Sequence, residues 1–214
     1  MLARILQSAV FALLPVAVAI AAPAAPLKPR IVVLTDIGPS EIEPDDHESM
    51  VRLLCYADRF EIEAVITGSG WNTSGRTYPP EWMDILRGTL DAYAQDVSNL
   101  MKRSAQTGFH ADEDRQELGY WPSPAYLRSR AMLGSPRLGF AALDENNDSA
   151  GSEFLIRLAA EPDPRPIWVC VWGGANTFAQ AVWRLQQQGD PARLKTFLHK
   201  FRVYTITDQD KDWG

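Results

Sequence analysis

The six residues Ile31-Val32-Val33-Leu34-Thr35-Asp36 are β-branched or aliphatic up to a terminal aspartate, and no polar residue alternates with them. A strand half open to water alternates, whereas a parallel strand covered on both faces reads as a continuous apolar run. Parallel neighbours need a crossover, usually a helix, and the following residues supply one. A polar loop, Ile37 to Pro44, leads into Asp45-Asp46-His47-Glu48 and a helical stretch with Met50, Val51, Leu53, Leu54 and Ala57 on one side. Asp45 or Asp46 is the expected N-cap, since acids in a first turn suit the helix dipole. Ile62 to Thr67 is a second strand and closes a β-α-β unit.

The same alternation continues downstream. After Pro79-Pro80, apolar residues Trp82, Ile85, Leu86, Leu90, Tyr93, Val97 and Leu100 step by three and four, the period of an amphipathic helix. Ser104 to Asn147 breaks into short pieces rich in Gly, Pro and charge and reads as loops and short helices. A helix follows from Ser149 or Ser152 to Ala160, then a strand Ile167–Val171, helices Asn176–Gln187 and Pro191–Lys200, and a fourth strand Phe201–Ile206. Strands alternating with helices predict an α/β, three-layer Rossmann-like fold with a mainly parallel sheet.

The 214 residues carry 27 acidic and 21 basic side chains, a formal charge of −6, which argues against a nucleic-acid partner. Residues 1–21 read as a secretory signal: Arg4 precedes an apolar run from Ala9 to Ala22, and Ala19-Ile20-Ala21 fits the small-x-small cleavage rule. An uncleaved anchor is the competing reading, but Pro15 and Gln7-Ser8 leave a run shorter than the ~20 apolar residues of a span. Cleavage predicts a secreted or periplasmic protein of charge −7, with no membrane contact after processing, a Pro/Ala-rich spacer over 22–29 and a domain over 30–214. Export permits a disulfide, yet Cys55 lies on a helical face and Cys170 inside a buried-strand pattern, so two free buried thiols are expected.

In open α/β sheets ligands bind beyond the carboxyl ends of the strands, which makes 36–46, 68–73, 172–177 and 207–212 the candidate segments. Asp36 ends a strand and Asp45 and Asp46 open the next helix, so three carboxylates converge on one mouth. Crowded carboxylates repel unless they share a cation or proton, and an all-oxygen set favours calcium or magnesium. The alternative is that Asp45 and Asp46 only cap a helix while Asp36 faces solvent. Trp71, Trp172 and Tyr78 are candidate stacking platforms for a base or a sugar ring, or else packing residues. Of three histidines, only His47 lies beside the acidic pair.

Leu34-Thr35-Asp36-Ile37-Gly38 followed by Asp45-Asp46 resembles the nucleoside hydrolase signature Asp-x-Asp-x-Gly-x-Asp-Asp, and Trp172-Gly173-Gly174-Ala175-Asn176-Thr177 resembles that family's second glycine-rich turn. The phrases Glu43-Pro44-Asp45-Asp46, Arg165-Pro166-Ile167-Trp168-Val169 and Tyr204-Thr205-Ile206-Thr207-Asp208-Gln209-Asp210 are similar to a secreted bacterial branch described as cellulose-binding with a nucleoside-hydrolase-like domain. The resemblance implies a calcium site with Asp36, Asp46 and the main-chain carbonyl of Trp172 as ligands, and Asp45 as the base that takes a proton from the bound water. It further implies a substrate contact at Asn72, and Trp71, Asn176, Asp208 and Asp210, at the ends of the strands, are further candidate substrate contacts. The partner implied is a nucleoside or carbohydrate small molecule, or cellulose itself, and the activity is hydrolysis of an N-glycosidic or related sugar bond. A non-catalytic carbohydrate-binding module on the same fold is the alternative. Leu34 stands where the signature has its first Asp, and Pro39 to Pro44 replace a single residue. The family's further metal aspartate lies downstream of the fourth strand, so the chain reads as a domain incomplete at its C-terminus.

Overall fold

The computed structural model describes residues 25–73 and 76–206; the leader, Asp208 and Asp210 lie outside them. Strands β1 (Arg30–Thr35), β2 (Glu61–Thr67), β3 (Ala131–Leu133), β4 (Ile167–Val171) and β5 (Phe201–Thr205) form one sheet in the order β3-β2-β1-β4-β5. Every pairing is parallel. All six residues of β1 and all seven of β2 are buried, as central strands covered on both faces should be, and the buried set includes the charged Arg30, Glu61 and Glu63.

Two cores follow from the period-two alternation of β1. Ile31 and Val33 pack with Ile62 and Val65 against α1 (Pro44–Leu54), α2 (Met83–Arg103) and α3 (Pro124–Ser129). Val32 and Leu34 point the other way, with Ala64, Ile66, Ile167 and Val169, onto α4 (Ala150–Ala159), α5 (Asn176–Gln187) and α6 (Pro191–Lys200). The Ser149 hydroxyl accepts from the Ser152 N–H and caps α4 in a capping box, and Asp190 caps α6 through the N–H groups of Ala192 and Arg193.

Several expectations need correction. Helix α1 begins one residue early, with Pro44 in its first turn and Glu43 as an N-cap that makes no side-chain capping bond; Asp45 and Asp46 are first-turn residues instead. Within Ser104–Asn147 a three-residue strand, β3, pairs with β2 and forms the sheet edge. Both cysteines are free, but Cys55 is exposed immediately after α1 and Cys170 is half-buried. Residues before β1 are also fixed: Leu27 bridges Glu117, and Lys28 is buried. No helix among the described residues is long and apolar enough to cross a membrane.

Candidate active site

The carboxyl ends of β1, β2 and β4 open at one edge of the sheet, and Asp36 stands between the loops that follow them. It is 3% exposed. A Cβ added at Gly70, after β2, or at Gly173, after β4, would run into its carboxylate. Two glycines from different strands thus leave the room the carboxylate occupies. Asn72 closes a third side: its main-chain N–H donates to Asp36 Oδ2 at 3.3 Å and its side-chain amide to the Asp36 carbonyl. The Asn72 Oδ1 atom is buried and has no partner among the described residues.

Asp46 is fixed from β1. The Thr35 hydroxyl donates to Asp46 Oδ2 while accepting from the Ile37 N–H at 3.0 Å. Adjacent helical residues differ by about 100° in direction; Asp46 takes the buried side and Asp45 the exposed one. The inserted Pro39–Pro44 segment does not separate Asp36 from Asp46, but Asp45, expected to converge with them, is exposed and outside their cluster. The N–H groups of Ile42 and Glu43 both donate to the Pro39 carbonyl, at 2.8 and 2.9 Å, and this tight turn returns Glu43 over the mouth.

Glu43 is the residue the sequence did not reveal. One carboxylate oxygen each from Asp36, Glu43 and Asp46 lie within 4.8 Å of one another. Burial, a side-chain hydrogen bond with Asp45 and the charge of Asp36 push the Glu43 carboxyl up to about 9. Asp45 borders this group through Glu43, on the solvent side.

The remaining candidates separate. Trp172 is half-buried against the core, and its N–H donates to the Leu34 carbonyl at 2.8 Å, continuing the β1–β4 ladder. Asn176 uses its side-chain amide on the backbone of Gly139, accepting from the N–H at 3.1 Å and donating to the carbonyl at 3.0 Å, so it pins a loop to the start of α5. Tyr78 is buried and donates to the Ile37 carbonyl at 2.7 Å, which removes it as a stacking platform. Trp71, beside Asn72, is 63% exposed. His47 lines a groove between α1 and α2 together with Ile85 and Gly88.

A family described as "Cellulose-binding Sde182, nucleoside hydrolase-like domain" matches residues 30–213. The chain belongs to that family. A solved structure of a nucleoside hydrolase-related hypothetical protein from Saccharophagus degradans, described as associated with carbohydrate metabolism, superposes with a TM-score of 0.69 at 37% identity. The match covers 86% of this chain and 39% of that one, so the chain spans about two fifths of its relative's length. No curated protein matches the chain.

Proposed function

We propose that this domain is an exported hydrolase of N-glycosidic or related sugar bonds, dependent on a divalent cation held at the β1 mouth. The observation carrying this reading is the approach of Asp36, Glu43 and Asp46 oxygens to within 4.8 Å. Two oxygens on opposite sides of a calcium ion, each at 2.3–2.6 Å, lie about 5 Å apart, so the spacing fits that ion and its oxygen preference. The buried Asn72 Oδ1 beside Asp36, without a partner among the described residues, adds a neutral acceptor of the kind calcium takes. Asp36, Asp46 and Glu43 would hold the cation, which when bound supplies a water of lowered pKa.

The chain's own residues account for the remaining steps. Asp45, exposed and beside Glu43, takes a proton from water as its oxygen bonds to the anomeric carbon, and the glycosidic electron pair leaves with the departing group. The buried carboxylates face the positive charge that develops on the sugar. Trp71 offers an exposed ring for a base or sugar face. Binding of cellulose or another carbohydrate without hydrolysis is the second reading; the family's description and the exposed Trp71 favour it.

Calorimetric titration with calcium, wild type against Asp46→Ala, tests the site. Saturable binding lost in the variant supports it, and binding that survives Asp46→Ala refutes it. Release of free base or reducing sugar, abolished in Asp45→Asn with calcium binding retained, separates hydrolysis from binding; calcium binding and cellulose retention without turnover select the binding module.

A further inference from the structure

A second concave site lies at the opposite end of α1. A cavity of about 420 Å³ is lined by Tyr56, Asp58, Arg59, Arg103, Ser104 and Trp121, among others. Its volume is within the roughly 300–1,000 Å³ of small-ligand sites. Asp46 and Tyr56 are ten residues apart along α1 and the turn after it, about 15 Å at helical rise, so this cavity is separate from the acidic mouth.

Its chemistry is specific. Tyr56 is 56% exposed, a flat apolar ring with a polar tip at the cavity edge. Arg59 Nε and Asp58 Oδ2 form an ion pair at 3.2 Å, placing a donor fork beside an acceptor pair. Arg103 adds donors from the end of α2, and the Ser104 hydroxyl, which donates to the Met101 carbonyl at 3.2 Å, adds an acceptor. Trp121 is buried, and its backbone is satisfied twice by the Gln106 amide, at 2.7 and 2.9 Å.

We infer that this cavity is a second, metal-independent saccharide-binding site, in which a pyranose face stacks on Tyr56 while its hydroxyls pair with Asp58, Arg59 and Arg103. An aromatic platform next to planar charged groups matches a sugar, which has one apolar face and a rim of paired hydroxyls, better than it matches a wholly apolar or a strongly charged ligand. The saccharide class rests on the carbohydrate reading above; the location does not.

The test is calorimetric titration of the whole protein with cellohexaose in excess EDTA, for wild type, Tyr56→Ala, Arg103→Ala and Asp46→Ala, with thermal melting to confirm that each variant is folded. Wild type and Asp46→Ala should bind alike, and Tyr56→Ala and Arg103→Ala should each weaken binding at least about tenfold, or about 1.4 kcal/mol. Binding in EDTA that is indifferent to both cavity variants overturns the site. So does binding that appears only with calcium and vanishes in Asp46→Ala, an outcome that leaves the carbohydrate reading intact. Absence of cellohexaose binding with and without calcium overturns the site and the cellulose-binding reading together, while nucleoside hydrolysis would still be judged by its own assay.

Discussion

The two ends of β1 bury acids in opposite ways. At its amino end Arg30, itself buried, pairs with Glu63 and with Glu161 at 2.5 Å, and Arg165 holds Glu61 at 3.0 Å and Asp163 at 2.6 Å. At its carboxyl end, about 17 Å away at strand rise, Asp36, Glu43 and Asp46 crowd together, and the Thr35 hydroxyl and Asn72 amide donate to the two aspartates. The carboxyl groups respond to burial as well as to pairing: burial pushes Glu63 up to about 7 although Arg30 opposes the shift. Hydrogen bonds from Arg165 hold Asp163 below the ordinary carboxylate range, whereas burial and neighbouring acids raise Glu43 to about 9. One end is a closed ionic clamp on the sheet; the other concentrates oxygen ligands where substrates reach an α/β sheet. That division predicts that substitutions below should cost stability and substitutions above should cost ligand binding.

The largest effect is expected from Arg30→Met. It leaves Glu63, buried in β2, without its close guanidinium, and removal of one partner from a buried pair typically costs about 3–5 kcal/mol. Urea unfolding should show that loss while folded protein still binds calcium like wild type. A cost under about 1 kcal/mol would mean that the lower clamp is not structural, and the contrast between the ends would fail.

How much of this was readable depended on whether a residue's role is set locally. The run Val32-Val33-Leu34 announces a strand covered on both faces, and the spacing of Leu86, Leu90, Tyr93 and Val97 announces α2; Ile167–Val171 reads as equally covered, yet Trp168 is 47% exposed and Cys170 half-buried, so that strand buries one face only. Asp36 and Asp46 were legible because strand end and helix start bracket one short loop. Glu43 was not, because its approach depends on the turn closed by the Pro39 carbonyl, a backbone conformation that composition does not fix. Strand β3 was hidden by its length: three residues show no period, and pairing to Val65–Thr67 makes it a strand. The lower clamp was invisible because Glu61 and Glu63 look like the solvent face of an alternating strand until Arg30 and Arg165, distant in sequence, are seen beside them.

An intermediate effect separates two glycines. Gly173→Ala places a methyl group on the Asp36 carboxylate, so either Asp36 moves or the turn does. Overpacking of this kind costs about 1–3 kcal/mol, and calcium affinity should fall at least about tenfold by calorimetry. Gly88, inside α2, has nothing within 4 Å of an added Cβ. Gly88→Ala should therefore stabilise by up to about 1 kcal/mol and leave calcium binding unchanged. Equal calcium affinity in both variants would remove Asp36 from the metal site.

The smallest effect concerns pH at the lower end. Lys28 is buried, and its ammonium donates to the Ala57 carbonyl at 2.7 Å and to Gln116 Oε1 at 2.6 Å. Burial lowers its pKa from 10.5 to about 7, although the charges of Asp58, Glu61 and Glu113 oppose the shift. In the unfolded chain the lysine keeps its proton to about 10.4. Between about 7 and 10 the unfolded state therefore binds more protons than the folded one, and stability from this residue rises with pH; it is lost as pH falls through 7. Removing the amine in Lys28→Met leaves two acceptors without their donor, a cost that does not vary with pH. Only the difference between wild type and variant is informative: it should shift in favour of wild type by on the order of 1 kcal/mol between pH 7 and pH 8. Urea unfolding of both proteins across that range measures it. A difference that stays flat would show that Lys28 retains its proton when folded, with the surrounding acids outweighing burial, so that the amino end compensates its charges even more completely than the contrast with the acidic mouth requires.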